Sequence, residues 1–186
     1  MRRVAGWSLT AALLGGLMSS GCEGDSSAAQ VGDDATEDAT AVNGPDGQAE
    51  AGLPSVLARY DRLRGLLAAD AIKQVSQVAT QLAMGASQVP ENMPETQRGA
   101  LREVAAAAQR LADMPKEDPE KVRVAFGEIS RPLVNLMVSQ PALRSGWHLF
   151  ECPMAEGYPR WLQMTEQIQN PYMGQRMPRC GAERNF

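Results

Sequence analysis

Cys152 and Cys180 bracket a stretch that any fold of this chain must either close on itself or leave open. They lie within Trp147–Phe186, together with the only histidine, His148, and with Met154, Met164, Met173 and Met177, four of the ten methionines. Six of the nine aromatic residues fall in the same stretch. Prolines and glycines punctuate it, at Cys152-Pro153-Met154, Asn170-Pro171-Tyr172, Gly174 and Met177-Pro178-Arg179-Cys180-Gly181. This pattern predicts a loop-rich cap, with one short helix around Leu162 to Gln169.

The residues before the cap read as helices. Val56, Tyr60, Leu63 and Leu67 recur at i, i+4, i+7 and i+11, which puts them on one helical face. Asp70 is placed to cap a second helix that turns Ile72, Val75, Ala79 and Leu82 inward and fades near Gly85 and Pro90. A third opens near Pro94 and runs through Leu101, Val104, Ala108 and Leu111 to Met114-Pro115. Asp118-Pro119 is a cap followed by proline at the first helical position, and it opens a fourth helix through Val122, Phe126, Ile129, Leu133 and Leu136, with a kink expected at Pro132. Short connections favour antiparallel neighbours, so the expected fold class is all-α: an up-down antiparallel bundle of about four helices bearing the C-terminal Cys/Met/aromatic cap. The charged residues of the body are expected on solvated helix faces, and Met84, Met93, Met114 and Met137 as core filler or loop residues.

The N-terminal part sets the compartment. Arg2 and Arg3 precede an apolar run from Val4 to Met18 and small residues up to Cys22, the layout of a signal peptide over 1–21. The small residues before Cys22 resemble bacterial lipoprotein signals, in which the cysteine thiol is acylated; Ser19 stands where leucine is usual. Residues 22–52 carry eight acidic residues and no Lys or Arg, with almost no large apolar side chain, and are expected to be a disordered acidic linker. They account for the net charge of −4 and leave the body, 53–182 with a tail at 183–186, close to neutral. No electrostatic footprint for nucleic acid results. The expected location is the periplasmic side of a bacterial membrane or the cell surface, held by the lipid alone.

Two readings of the cysteines follow. In an oxidising compartment a pair in a small exported domain commonly forms a disulfide, here Cys152–Cys180, which the chain-entropy model values at roughly 3–4 kcal/mol. Alternatively, Cys152 with Met154 and Met177 with Cys180 bring soft sulfur from both ends of the loop, a donor set that selects Cu(I) or Ag(I) over hard cations. His148 could add a nitrogen and Met173 a further sulfur. Zinc is disfavoured, because its structural sites use four Cys or His ligands and only three candidates exist. With one histidine and no nucleophile–base pairing or Cys-x-x-Cys motif, the sequence gives no basis for catalysis.

Cys152-Pro153-Met154-Ala155, Trp161-Leu162-Gln163, Ile168, Asn170-Pro171-Tyr172, Gly174, Met177 and Cys180-Gly181 together resemble the signature of a bacterial family of unknown function. Its members occur alone in exported proteins and fused to periplasmic adaptor subunits of copper/silver efflux pumps of the resistance-nodulation-division type. The likeness spans about residues 55–182 and opens with Tyr60-x-x-Leu63. Departures are Met173 in place of an aromatic residue, Pro178 in place of an apolar one, and an atypical stretch between Met154 and Trp161. The resemblance implies a four-helix-like bundle with heavy-metal handling at Cys152, Met154, Met177 and Cys180, and a metal-efflux adaptor or metallochaperone as partner.

Overall fold

A computed structural model describes residues 52–186, and the expected signal peptide, Cys22 and the expected acidic linker through residue 51 lie outside the described residues. Four helices form where the apolar stripes predict them: α1 Leu53–Ala68, α2 Val75–Ser87, α3 Glu95–Asp113 and α4 Pro119–Ser139. Val56, Tyr60, Leu63 and Leu67 of α1 are fully buried, as are Leu101, Val104, Ala108 and Leu111 of α3. Each helix packs on the next across a short connection. Asp118 caps α4 by accepting the backbone N–H groups of Glu120 and Lys121 at 3.1 and 3.2 Å. The helix continues through Pro132, so the proline removes one backbone donor without ending the element.

Asp70 does not cap the second helix. It takes a left-handed backbone conformation, φ 57°, and its carboxylate is engaged by Arg123 of α4 and by the backbone N–H of Gln175 at 3.1 Å. The second helix instead enters through a short 3-10 turn, Ile72–Gln74, with no side-chain cap.

The fold is mostly helical and not purely all-α. Three short strands, β1 His148–Glu151, β2 Arg160–Gln163 and β3 Ala182–Arg184, form an antiparallel sheet in the order β2-β1-β3. Phe150 pairs with Trp161 on one side and Glu183 on the other. The helix expected around Leu162 to Gln169 is therefore strand and then loop. Trp161, Leu162 and Gln163 are buried one after another, which a strand covered on both faces permits. Residues 182–184, expected to belong largely to a tail, form the outer strand that completes the cap.

A run of aromatic contacts ties cap to helices. Tyr60 stacks on Phe126 at 5.4 Å between centroids, Phe126 meets Tyr172 at 5.7 Å, Tyr172 meets Trp161 at 5.9 Å and Trp161 stacks on Phe150 at 5.5 Å. The cap thus shares one hydrophobic core with the bundle.

Two arginines correct the expectation that the body's charges are solvated. Arg64 and Arg123 are buried, and each donates both to the helical body and to the cap. Arg64 pairs with Asp61 at 2.6 Å and reaches the side-chain oxygen of Gln163 at 3.3 Å and the carbonyl of Gln169 at 3.2 Å. Arg123 donates to the carbonyls of Leu67, at 2.7 Å, and Pro171, as well as to Asp70. Burying a guanidinium is costly unless its N–H groups find acceptors, and carboxylates and backbone carbonyls supply them here.

Candidate thiol site

Each cysteine sits in a tight turn with proline at its second position. The carbonyl of Cys152 accepts the N–H of Ala155 at 3.2 Å, closing Cys152-Pro153-Met154-Ala155. The carbonyl of Met177 accepts the N–H of Cys180 at 3.1 Å, closing Met177-Pro178-Arg179-Cys180. Proline presets φ for that position, so Pro153 and Pro178 serve the turns.

The sheet brings the two turns together. Glu151 pairs with Ala182, so the residues just beyond, Cys152 and Gly181, continue the approach of the two chains. Gly181 has φ +131°, and a Cβ there would stand 2.9 Å from the Glu151 carbonyl oxygen and 3.1 Å from the Trp161 ring. Only glycine allows the chains to come this close. Asn170 fixes the other side. Its Oδ1 accepts the N–H groups of Tyr172 and Met173, and its Nδ2 donates to the Cys180 carbonyl at 2.6 Å. Its own N–H donates to the Pro178 carbonyl at 2.9 Å.

Gln163 fixes the preceding loop in the same manner. Its amide nitrogen donates to the carbonyls of Thr165 and Gln167, and its oxygen accepts from Arg64, the Trp161 indole N–H and the Gln169 N–H. Trp161, Gln163, Asn170, Tyr172 and Gly181 are accounted for by packing and by turn geometry.

The two cysteines form a pair of their own. Both are free thiols, with Sγ atoms 3.3 Å apart. Cys152 is buried and Cys180 partly exposed. A hydrogen bond with Cys152 and partial burial push the Cys180 thiol pKa up. The sequence alone left open whether the two cysteines meet; the sheet register brings them together.

The other predicted ligands are distributed differently. Met154 and Met177 are 60% and 42% exposed. Met154 and Met173 border a cleft of about 60 Å³ with Val124 and Tyr172, and the sulfur of Met173 receives Arg176 Nη2 at 3.9 Å. His148 is not brought to the thiols. It lies at the far end of β1 from Cys152, four residues or about 13 Å along the strand, and its Nδ1 is 2.8 Å from Glu183 Oε1. Among the described residues, no three His, Cys, Asp or Glu side chains gather as a metal-binding group, so the pair has no third donor of those types.

Sequence reasoning missed Arg64 and Arg123 as residues that position the cap. The available signal was weak: each follows an apolar core residue, Leu63 or Val122, at the edge of a helical stripe. Comparison with protein-family models, curated proteins and solved structures found no match to this chain.

Proposed function

We propose that this chain is an exported, lipid-anchored protein that binds Cu(I) or Ag(I) through Cys152 and Cys180, for buffering, transfer or efflux support at the periplasmic side of a bacterial membrane or at the cell surface. The observation that carries the reading is the approach of two unlinked thiols to 3.3 Å at the end of the sheet, one of them open to solvent. Thiolate and thioether sulfur favour monovalent soft ions, and a two-sulfur site leaves the ion open to exchange. Taking metal–thiolate bonds of about 2.3 Å, two thiolates on one ion stand about 4.6 Å apart in the near-linear arrangement of a two-sulfur site. A separation about 1.3 Å wider than the observed 3.3 Å meets that requirement. The exposed thioethers of Met154 and Met177 supply further sulfur by rotating in from solvent. The resemblance of the cap residues to a signature of exported and pump-associated proteins adds support, and it implies a metal-efflux adaptor or metallochaperone as partner. The chain is not proposed to be an enzyme.

A second reading has its own support. The same two sulfurs are close enough for a Cys152–Cys180 disulfide, which would make the cap a stapled, metal-free interaction module. The test is an anaerobic titration of the reduced full chain carrying Cys22→Ser with Cu(I), against a chromophoric chelator. One ion held tightly and lost with either Cys152→Ser or Cys180→Ser supports the metal reading. Further weakening in Met154→Leu/Met177→Leu assigns the thioethers. If the reduced chain fails to compete with the chelator, the stapled module is the better reading.

A further inference from the structure

The two thiols stand between two bonding geometries. A disulfide needs its sulfurs about 2.05 Å apart, so the observed 3.3 Å closes to a bond with about 1.2 Å of approach. A shared metal ion needs them wider, by the amount given above. The pair is also asymmetric. Cys152 is buried, its N–H held by the Pro159 carbonyl at 3.0 Å and its carbonyl by Ala155. Cys180 is partly exposed at the last position of the Met177–Cys180 turn, which is itself largely exposed. Both backbones are held, that of Cys180 by the Met177 carbonyl and the Asn170 amide, so the difference lies in exposure: of the two sulfurs, that of Cys180 is the one other molecules reach.

We infer that Cys152 and Cys180 form a thiol–disulfide exchange pair, in which Cys180 reacts first with an external disulfide, Cys152 resolves the mixed disulfide, and ring closure expels the bound soft-metal ion. The metal part of this inference rests on the function proposed above; the exchange part does not.

The steps balance. The Cys180 thiolate attacks one sulfur of a small-molecule or protein disulfide, whose S–S bond breaks and releases one thiolate. A mixed disulfide now joins Cys180 to the other half. The Cys152 thiolate attacks Cys180 Sγ, the mixed S–S bond breaks, and the second half leaves as thiolate. Two electrons pass from the cysteine pair to the external disulfide, and the two protons given up by the cysteines end on its released thiols. Attack requires access at the first sulfur and proximity at the second, which is how Cys180 and Cys152 differ. A disulfide sulfur is a far weaker ligand than a thiolate, so the ion leaves as the ring closes.

The experiment uses the reduced full chain carrying Cys22→Ser, so that only the pair can respond. It is incubated with glutathione disulfide, quenched with acid and read by intact mass. The expected product is lighter by two hydrogens and carries no adduct. Cys152→Ser and, as a second variant, Cys152→Ala are expected to retain one glutathione on Cys180, while Cys180→Ser retains none. Circular dichroism establishes that the variants compared are folded. A stable adduct on the Cys22→Ser chain with both cysteines intact, no reaction at all, or an adduct on Cys152 in Cys180→Ser would overturn the exchange order. A parallel dialysis against silver(I) compares reduced and ring-closed chain. Silver held only by the reduced form supports expulsion, and silver held equally by both overturns it. If the reduced chain holds no silver, the soft-metal function falls and expulsion with it, whereas ring closure is still read independently from the mass.

Discussion

The hydroxyl oxygen of Tyr60, in the middle of α1, accepts the backbone N–H of Leu162 on β2 at 3.1 Å. Leu162 belongs to an outer strand of the sheet, and the same hydroxyl also pairs with Ser130 of α4. One buried phenol thus joins two helices to the edge of the cap.

Tyr60→Phe preserves the stacking on Phe126 and leaves the Leu162 N–H and the Ser130 hydroxyl without that partner. Leaving buried polar groups unpaired costs about 1–3 kcal/mol. In urea denaturation the midpoint is expected to fall with the slope unchanged, since the surface exposed on unfolding is the same. An unchanged midpoint would show that the phenol is not a fastening point.

Alkaline pH acts on the same residue. Burial pushes the Tyr60 pKa well above its ordinary value of 10.0, outweighing the hydrogen bonds that pull it down, and burial likewise raises Tyr172. The unfolded chain then loses these protons first as pH rises, so unfolding is increasingly favoured. The contribution is fully present below about pH 10 and is lost as pH climbs from there toward the folded-state values. Thermal melts should show no loss from these groups at neutral pH and a decline above pH 10, and Tyr60→Phe should decline less steeply.

Gly174→Ala tests the other fastening. Gly174 has φ +54°, and an added Cβ would collide with the Asp70 carboxylate and the Arg123 guanidinium. Left-handed backbone costs an alanine about 1–2 kcal/mol before the ion pair is disturbed. A loss of at least about 2 kcal/mol is expected. Hydrogen exchange should speed up most at Tyr172 to Gln175, because that segment loses its anchor on Asp70 and on Arg123 of α4.

Cys152→Ala separates the thiols chemically. The hydrogen bond with Cys152 is the largest cause of the raised Cys180 pKa, with burial second. Removing it should shift the pH profile of Cys180 alkylation by iodoacetamide toward lower pH, in the Cys22→Ser background. A profile that does not move would mean that the two sulfurs do not interact in solution.

Much of the helical architecture was legible because α1 to α4 repeat an apolar stripe over three turns or more, and a repeated local signal accumulates. The Asp118-Pro119 start was readable for the same local reason: a cap acts on N–H groups two and three residues away. The strands were not readable. β3 is three residues long and fully exposed, and β2 buries neighbouring residues instead of alternating them. A sheet of this kind is decided by pairing between distant residues.

The candidate site divides along the same line. The sequence by itself determined which sulfur-bearing residues exist, and that Pro153 and Pro178 begin turns beside them. Only the tertiary structure decided that Cys152 and Cys180 meet, that His148 stands apart with Glu183, and that Asp70 serves Arg123 and not a helix end. The physical reason is distance along the chain. Turn and helix preferences arise from steric and hydrogen-bonding rules within a few residues. The thiol contact depends on the β1–β3 register, on the close approach allowed at Gly181, and on two buried arginines whose acceptors lie in loops far away in sequence.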